Sequence, residues 1–295
     1  MHRFFVDPAL LTGMIEEMAP APPPMAPARG ATTYQADTHS GNVVAPLAGA
    51  SGGGTGAAPQ RRVTLPKDLA HQVRDVLHLQ VGEQLTLLDN SGDETLAAVE
   101  QVSKAGVMVQ LLERRAGKSE SPVRIILCQG LLKSARFEWI LEKGTELGVA
   151  VFSPILTRRS MAGLEDVGAS KVQRWRRILQ EAAEQCGRSR LPELLPVRPL
   201  MHALNDIPRA ALALMPWEEE HATSLREALS MFHPHPQSQP ITVMLFIGPE
   251  GGLTSEEVAL ARRHGAQIVT LGSRILRAET AALAALANVM YELGG

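Results

Sequence analysis

Ile241-Thr242-Val243-Met244-Leu245-Phe246-Ile247-Gly248-Pro249-Glu250-Gly251-Gly252-Leu253-Thr254 is the stretch on which the fold turns. Its first seven residues form an apolar run of strand length with one polar member, the pattern of a strand buried on both faces of a parallel sheet. Pro249 stiffens the turn that follows, while Gly251 and Gly252 permit positive φ and a close approach of backbone to a ligand. Thr254 and Glu257 are spaced as a capping box, so a helix is predicted over 255–264. Strand, glycine-rich turn and helix make up the unit of an α/β sheet, where ligands bind at the carboxyl ends of the strands. The turn matches neither G-x-x-x-x-G-K-[ST] nor G-x-G-x-x-G, which removes the main support for a phosphate cradle. A tight turn without a ligand is the other reading of these residues.

The same alternation extends on both sides. Upstream, strands at 123–128 and 151–156 precede helices predicted over 135–147 and 170–186, and 210–215 is another buried run. Downstream, a strand at 267–271 precedes a helix over 279–293. The expected class is α/β with a mostly parallel sheet, over 122–295. Residues 61–115 read differently, as short strands at 63–65, 84–88, 95–99 and 107–111 separated by Gly and Asp/Asn turns, with one helix at 69–77. They predict a small β domain over 1–117, which Phe4-Phe5-Val6 joins as a further strand, and a linker at 118–122. Residues 19–60 hold 11 Ala, 7 Pro and 7 Gly, with Arg29 and Asp37 as the only charges. So few large apolar side chains cannot offset the entropy of ordering, and this segment is expected to be a flexible insertion.

The chain of 295 residues is 45% hydrophobic, which excludes a disulfide-stapled miniprotein and a wholly disordered chain. No apolar run reaches the roughly 18 residues of a membrane span, and Asp7 and Pro8 interrupt the first apolar residues, so neither a span nor a signal peptide is predicted and the cytoplasm is the expected location. Cys128 and Cys186 are isolated, and His233 and His235 lack ligand spacing, so no metal is expected. A net charge of −2 speaks at first against a nucleic-acid partner. Segment by segment it does not: residues 121–200 carry 13 basic and 8 acidic side chains, and 201–295 carry 6 and 10.

A second loop, Leu271-Gly272-Ser273-Arg274-Ile275-Leu276-Arg277-Ala278-Glu279-Thr280, sets apolar side chains between two arginines, as in a pocket wall. Together with the first loop it resembles the 16S ribosomal RNA uridine N3-methyltransferase family of the SPOUT superfamily. Arg3-Phe4-Phe5-Val6, Glu142-Lys143-Gly144-Thr145-Glu146-Leu147-Gly148-Val149 and Glu181-Ala182-Ala183-Glu184-Gln185-Cys186-Gly187-Arg188-Ser189 agree with it as well. The likeness spans nearly everything except residues 15–60. It implies a PUA-like, RNA-binding β-barrel followed by a trefoil-knotted α/β domain, and a homodimer acting on 16S rRNA in the small ribosomal subunit. S-adenosylmethionine would lie in a slot formed by Leu214, Met215, Ile247, Gly248, Pro249, Glu250, Gly251, Gly252, Leu271, Gly272, Ile275 and Leu276. The Ala-rich run 281–285 suits helix packing in the dimer, or ordinary core packing equally.

Methyl transfer to uridine N3 requires a nucleophile held close to the methyl carbon and a route for the imide proton. The resemblance makes Arg277 the candidate for stabilising the developing anion. Glu279 and Glu250 are candidates for orienting Arg277 or relaying the proton, with helix capping as the alternative for both. Candidate RNA contacts are Arg61, Arg62, His71 and Arg74 in the first domain, then Lys133, Arg136, Lys143, Arg158, Arg159, Arg188 and Arg190. His78 stands where similar proteins usually carry arginine. A knotted methyltransferase with another RNA target, a non-catalytic RNA-binding protein and a nucleotide-binding enzyme are the alternatives.

Overall fold

The computed structural model describes residues 1–11, 61–160, 167–233 and 240–294. The expected insertion at 19–60 and His235 lie outside the described residues. Two sheets carry the chain. The first contains β1 (His2–Phe5), β2 (Arg62–Thr64), β3 (Gln84–Leu88), β4 (Asp93–Ser103) and β5 (Gly106–Ala116) in the order β1-β3-β4-β5-β2. All neighbours pair antiparallel except β1, which runs parallel to β3 with Phe4 opposite Leu87. Phe4, Leu85, Leu87, Ala97, Val99, Val107 and Val109 turn inward to one core. β4 is longer than the expected 95–99 because register shifts at Leu96/Ala97 and Val99/Gln101 carry pairing past polar positions that interrupt the alternation. The helix expected at 69–77 starts earlier, as α1 (Lys67–His71) behind Pro66, and continues as a wider π turn, Gln72–Val76.

The second sheet contains β6 (Val123–Gly130), β7 (Val149–Leu156), β8 (Glu193–Leu194), β9 (Arg198–Pro199), β10 (Leu212–Pro216), β11 (Ile241–Ile247) and β12 (Gln267–Val269). Its order is β12-β10-β11-β6-β7-β8, with β9 also on β7, and every pair is parallel. Successive side chains enter different cores. Ile125, Leu127, Val243 and Leu245 pack with α2 (Ser134–Glu146), α3 (Ala169–Cys186), α5 (Leu225–Ser230) and α7 (Ala278–Leu293). Ile126, Cys128, Met244 and Phe246 pack with α4 (Leu200–Asn205) and α6 (Ser255–Arg263). Burial on both faces is why β6 and β11 read as unbroken apolar runs. Within the first core, the Phe137 and Trp175 rings lie 4.6 Å apart and hold α2 against α3. β8, β9, α4 and α5 were not anticipated, because elements of two to six residues carry too little periodicity to read.

Two features position the site. β10, β11 and β12 end side by side, and the chain leaving the edge strand β12 turns back so that α7 packs on β6 and β11 and against α2 and α5. The two sheets are also tied together. Glu120 accepts from the backbone N–H groups of Ser189 and Arg190, at 3.1 Å each, and Phe5 N donates to Glu184 at 3.0 Å.

Candidate active site

A cavity of about 770 Å³ opens where β10, β11 and β12 end. Three strand-end segments wall it: Pro216 at the end of β10 with Trp217, Glu218 and His221 beyond it; Ile247 at the end of β11 with 248–253 beyond it; and 270–278, from β12 to the first residue of α7. Arg136 from α2 and Ala281 from α7 complete the lining. This is the position at which parallel sheets bind ligands.

The β11 wall is built by close approach. A Cβ on Gly130, at the end of β6, would sit 2.6 Å from Pro249 N, so glycine there lets the turn lie directly on the neighbouring strand. Gly252 has φ +72°, and a Cβ on it would fall 2.5 Å from a Glu218 carboxylate oxygen. Arg159 donates to Gly251 O at 3.0 Å. The expected capping box is present: Thr254 N donates to Glu257 at 2.9 Å, and Glu257 N donates to Thr254 Oγ1 at 3.3 Å. The second oxygen of Glu257 accepts from Arg158 N at 2.8 Å, which binds the 157–160 loop to the same wall. Glu256, beside it, is held below the usual carboxylate range by its own backbone N–H at the helix start, with smaller contributions from the Thr254 hydroxyl, Arg158 and Arg159.

The β12 wall is more open. Gly272 has φ +112° with nothing near the position of a Cβ, and Ile275 is 84% exposed. Arg274 and Arg277 line the cavity, and neither side chain has a hydrogen-bond or ion-pair partner among the described residues. Glu250 and Glu279 converge on Arg136, at 3.7 and 3.6 Å, and Lys133 N donates to Glu250 at 3.3 Å. Glu250 lines the cavity; Glu279 lies behind it, with Oε2 buried and without a hydrogen-bond partner among the described residues.

Of the expected slot residues, Ile247, 248–252, Leu271, Gly272, Ile275 and Leu276 all line the cavity. Leu214 and Met215 do not: both are fully buried in β10, their side chains filling the cores on its two faces, and the wall begins only where the chain leaves the sheet at Pro216. Trp217, Glu218 and His221 were missed, although the strand-end rule points to the turn after β10 as much as to the other two.

The expected RNA contacts fall into groups. Arg136 lines the cavity, and three others are tied to its β11 side: Arg159 donates to Gly251 O, and the backbone N–H groups of Lys133 and Arg158 donate to Glu250 and Glu257. Arg61 is half-buried beside β2, and Arg190 is exposed next to Gly92. Arg62, His71, Arg74 and Lys143 are engaged with carboxylates: Arg62 with Glu100 at 2.7 Å, His71 and Arg74 with Asp75 at 2.6 Å each, and Lys143 with Glu142 and Glu146 at 2.8 Å each. Asp75 is accordingly held far below the usual carboxylate range, first by the Arg74 guanidinium, and the Lys143 ammonium is raised, first by Glu142. Arg188 faces no open surface. It is 6% exposed and donates to Val149 O at 2.6 Å, Thr145 O at 3.3 Å and Glu120 at 2.9 Å, so the charge read as a phosphate contact holds the linker residue Glu120 against the end of α2 and the start of β7 instead.

Among the described residues, no helix is long and apolar enough to cross a membrane, and no three His, Cys, Asp or Glu side chains are grouped to hold a metal ion.

Residues 119–290 match the model of the RNA methyltransferase domain family. The chain is 33% identical to ribosomal RNA small subunit methyltransferase E of Bacillus subtilis, over 75% of this chain and 87% of that protein. It is 35% identical to the protein of the same name from Synechocystis sp., over 77% of this chain and 72% of that protein. A crystal structure of ribosomal RNA small subunit methyltransferase E from Neisseria gonorrhoeae, bound to S-adenosyl methionine, superposes with a TM-score of 0.72 at 31% identity, covering 81% of this chain and 94% of that one. This chain belongs to the RNA methyltransferase family that includes the ribosomal RNA small subunit methyltransferases E.

Proposed function

We propose that this protein methylates N3 of a uridine in 16S ribosomal RNA, using S-adenosylmethionine held in the cavity at the ends of β10, β11 and β12. The observation that carries the reading is the convergence of three strand-end turns on one cavity, one glycine-rich and tightly built, one bearing two arginines without partners among the described residues. The cavity is large enough for a nucleoside-bearing ligand. Its glycine wall offers backbone N–H and C=O groups to an adenine ring, and Ile247, Leu253, Leu271 and Leu276 provide apolar contact. When bound, S-adenosylmethionine supplies an electrophilic methyl carbon.

The chain's own residues do the rest. Arg277 stands at the cavity with its guanidinium free to pair with the anion that develops as the uridine imide loses its proton. Glu250, the carboxylate on the lining, accepts that proton directly or through water, and Arg136 and Lys133 N hold it in place. Glu279, at the start of α7, acts behind it by fixing Arg136 of α2. The rim cations Lys133, Arg136, Arg158 and Arg159 take the RNA backbone around the entrance.

We read residues 1–117 as a PUA-like RNA-binding domain and 122–295 as a knotted methyltransferase domain. The return of the chain from β12 to pack α7 on β6 and β11 supports the second reading. A homodimer is supported by apolar side chains left open on the neighbouring helices α2 and α7, Trp139 at 44% and Tyr291 at 88% exposure. Such a dimer works in the cytoplasm on the small subunit. The test is to incubate small subunits from a strain lacking the gene with protein and methyl-labelled S-adenosylmethionine, then digest the rRNA and identify nucleosides by mass spectrometry. Labelled N3-methyluridine at one position is expected; its absence overturns the assignment.

A further inference from the structure

Three consecutive carboxylates follow β10, and the structure gives them different surroundings. Glu220 is buried, accepts from the backbone N–H groups of Ala222 and Thr223 at 2.8 and 3.4 Å, and pairs with Arg262 of α6 at 2.7 Å. The first of these bonds holds its carboxyl below the usual range. Glu219 is exposed and off the cavity. Glu218 is exposed as well but lines the cavity, and among the described residues it has neither a hydrogen bond nor an ion pair.

The backbone that carries Glu218 is fixed from both sides. Trp217 N donates to Val269 O at 3.0 Å, and the Glu220 turn anchors the chain two residues later. The Glu218 carboxylate lies over the Cα of Gly252, where any Cβ would strike it. An unpaired carboxylate at a fixed point in a cavity is an acceptor awaiting donors. Its place in the sheet says which donors. β10 neighbours β11, and β11 ends in the glycine-rich turn. In nucleotide-binding α/β sheets, the glycine-rich turn takes the nucleotide closely against the backbone, and an acidic side chain nearby accepts hydrogen bonds from the ribose hydroxyls.

We infer that Glu218 orients the cofactor by accepting hydrogen bonds from its ribose 2′- and 3′-hydroxyls, an inference that rests on reading the cavity as an S-adenosylmethionine site. The missing side chain at Gly252 is what leaves room for the carboxylate against that wall.

Binding calorimetry on the full-length protein tests this with S-adenosylhomocysteine, with 5′-methylthioadenosine, which keeps the adenine and the diol but lacks the amino acid, and with 2′,3′-dideoxy-5′-methylthioadenosine. Glu218→Ala is expected to weaken the first two alike, by about ten- to a hundredfold. It should also abolish the preference of the unsubstituted protein for 5′-methylthioadenosine over its dideoxy analogue. Glu219→Ala is expected to change neither, and unchanged thermal unfolding of both variants excludes a folding defect. If Glu218→Ala weakens S-adenosylhomocysteine but not 5′-methylthioadenosine, the carboxylate meets the amino-acid end and the inference is overturned. Unchanged affinities for all three ligands overturn it as well. Failure of the unsubstituted protein to bind S-adenosylhomocysteine is a different result, one that removes the reading of the cavity itself.

Discussion

The two walls that face each other across the cavity are made in opposite ways. The turn after β11 is built inward: Gly130, Gly248, Gly251 and Gly252 each sit where an added Cβ would meet a neighbour at 3.0 Å or closer, and Arg159 and Glu257 tie the turn to the 157–160 loop. The turn after β12 is built outward, with no atom near a Cβ on Gly272, Ile275 in solvent and both arginines unpaired among the described residues. A wall already packed to van der Waals contact can select a small ligand by shape. A wall whose charged and apolar side chains lack partners is suited to completion by a second, larger molecule. On this difference we propose that the first turn does most of the cofactor selection, while the second, beyond lending Leu271 and Leu276 to the cofactor, engages the RNA.

The largest effect tests the outward wall. Arg277→Ala is expected to lower the single-turnover methylation rate by about 10²- to 10³-fold, as for other losses of a group that stabilises developing negative charge. Affinity for S-adenosylhomocysteine should stay within about threefold. A variant that methylates at the unsubstituted rate removes Arg277 from the mechanism and with it the division of labour between the walls.

The next effect tests the inward wall from beneath. Gly130→Ala directs a Cβ at the backbone of Gly248 and Pro249, which cannot swing aside as a side-chain tip can. Overpacking of this kind costs about 1–3 kcal/mol, and the displaced turn should weaken S-adenosylhomocysteine by roughly ten- to a hundredfold in calorimetry. Gly272→Ala is the matched control. Its φ of +112° strains any other residue, yet the space around it is empty. A few-fold loss of affinity and about 1 kcal/mol of stability are expected from the backbone alone. Equal losses in the two variants would erase the contrast between the walls.

How far this was readable from residues alone follows the same physics. β6 and β11 were legible because both faces are buried, and α6 because Thr254 and Glu257 announce its start. Both loops that line the cavity were legible from glycines and from arginines flanking apolar residues. The third wall was not: the resemblance places the slot at Leu214 and Met215, inside the strand, whereas the lining runs from Pro216 at the strand's end into the turn that follows. Glu218, Glu219 and Glu220 are the same residue in sequence, and only the neighbours of each side chain separate their uses. Arg188 shows the converse error. A loop arginine beside Arg190 looks like a phosphate contact, but its partners Val149 and Glu120 lie far away along the chain.

The smallest effect separates cations that are available to RNA from those already neutralised. Arg158 is exposed on the rim and pairs only loosely with Glu256 at 3.8 Å, whereas Lys143 donates to two carboxylates at 2.8 Å each. An exposed ion pair contributes little to stability, so neither substitution should disturb folding. A cation that displaces counterions from a phosphate reports itself in the salt dependence of binding. Arg158→Ala should weaken binding to small subunits about two- to threefold and flatten the plot of log affinity against log salt by about one unit. Lys143→Ala should leave that slope unchanged, because its charge is already answered within the protein. If Lys143→Ala flattens the slope and Arg158→Ala does not, the RNA path runs along α2 rather than around the rim, and the outward wall is not its entrance.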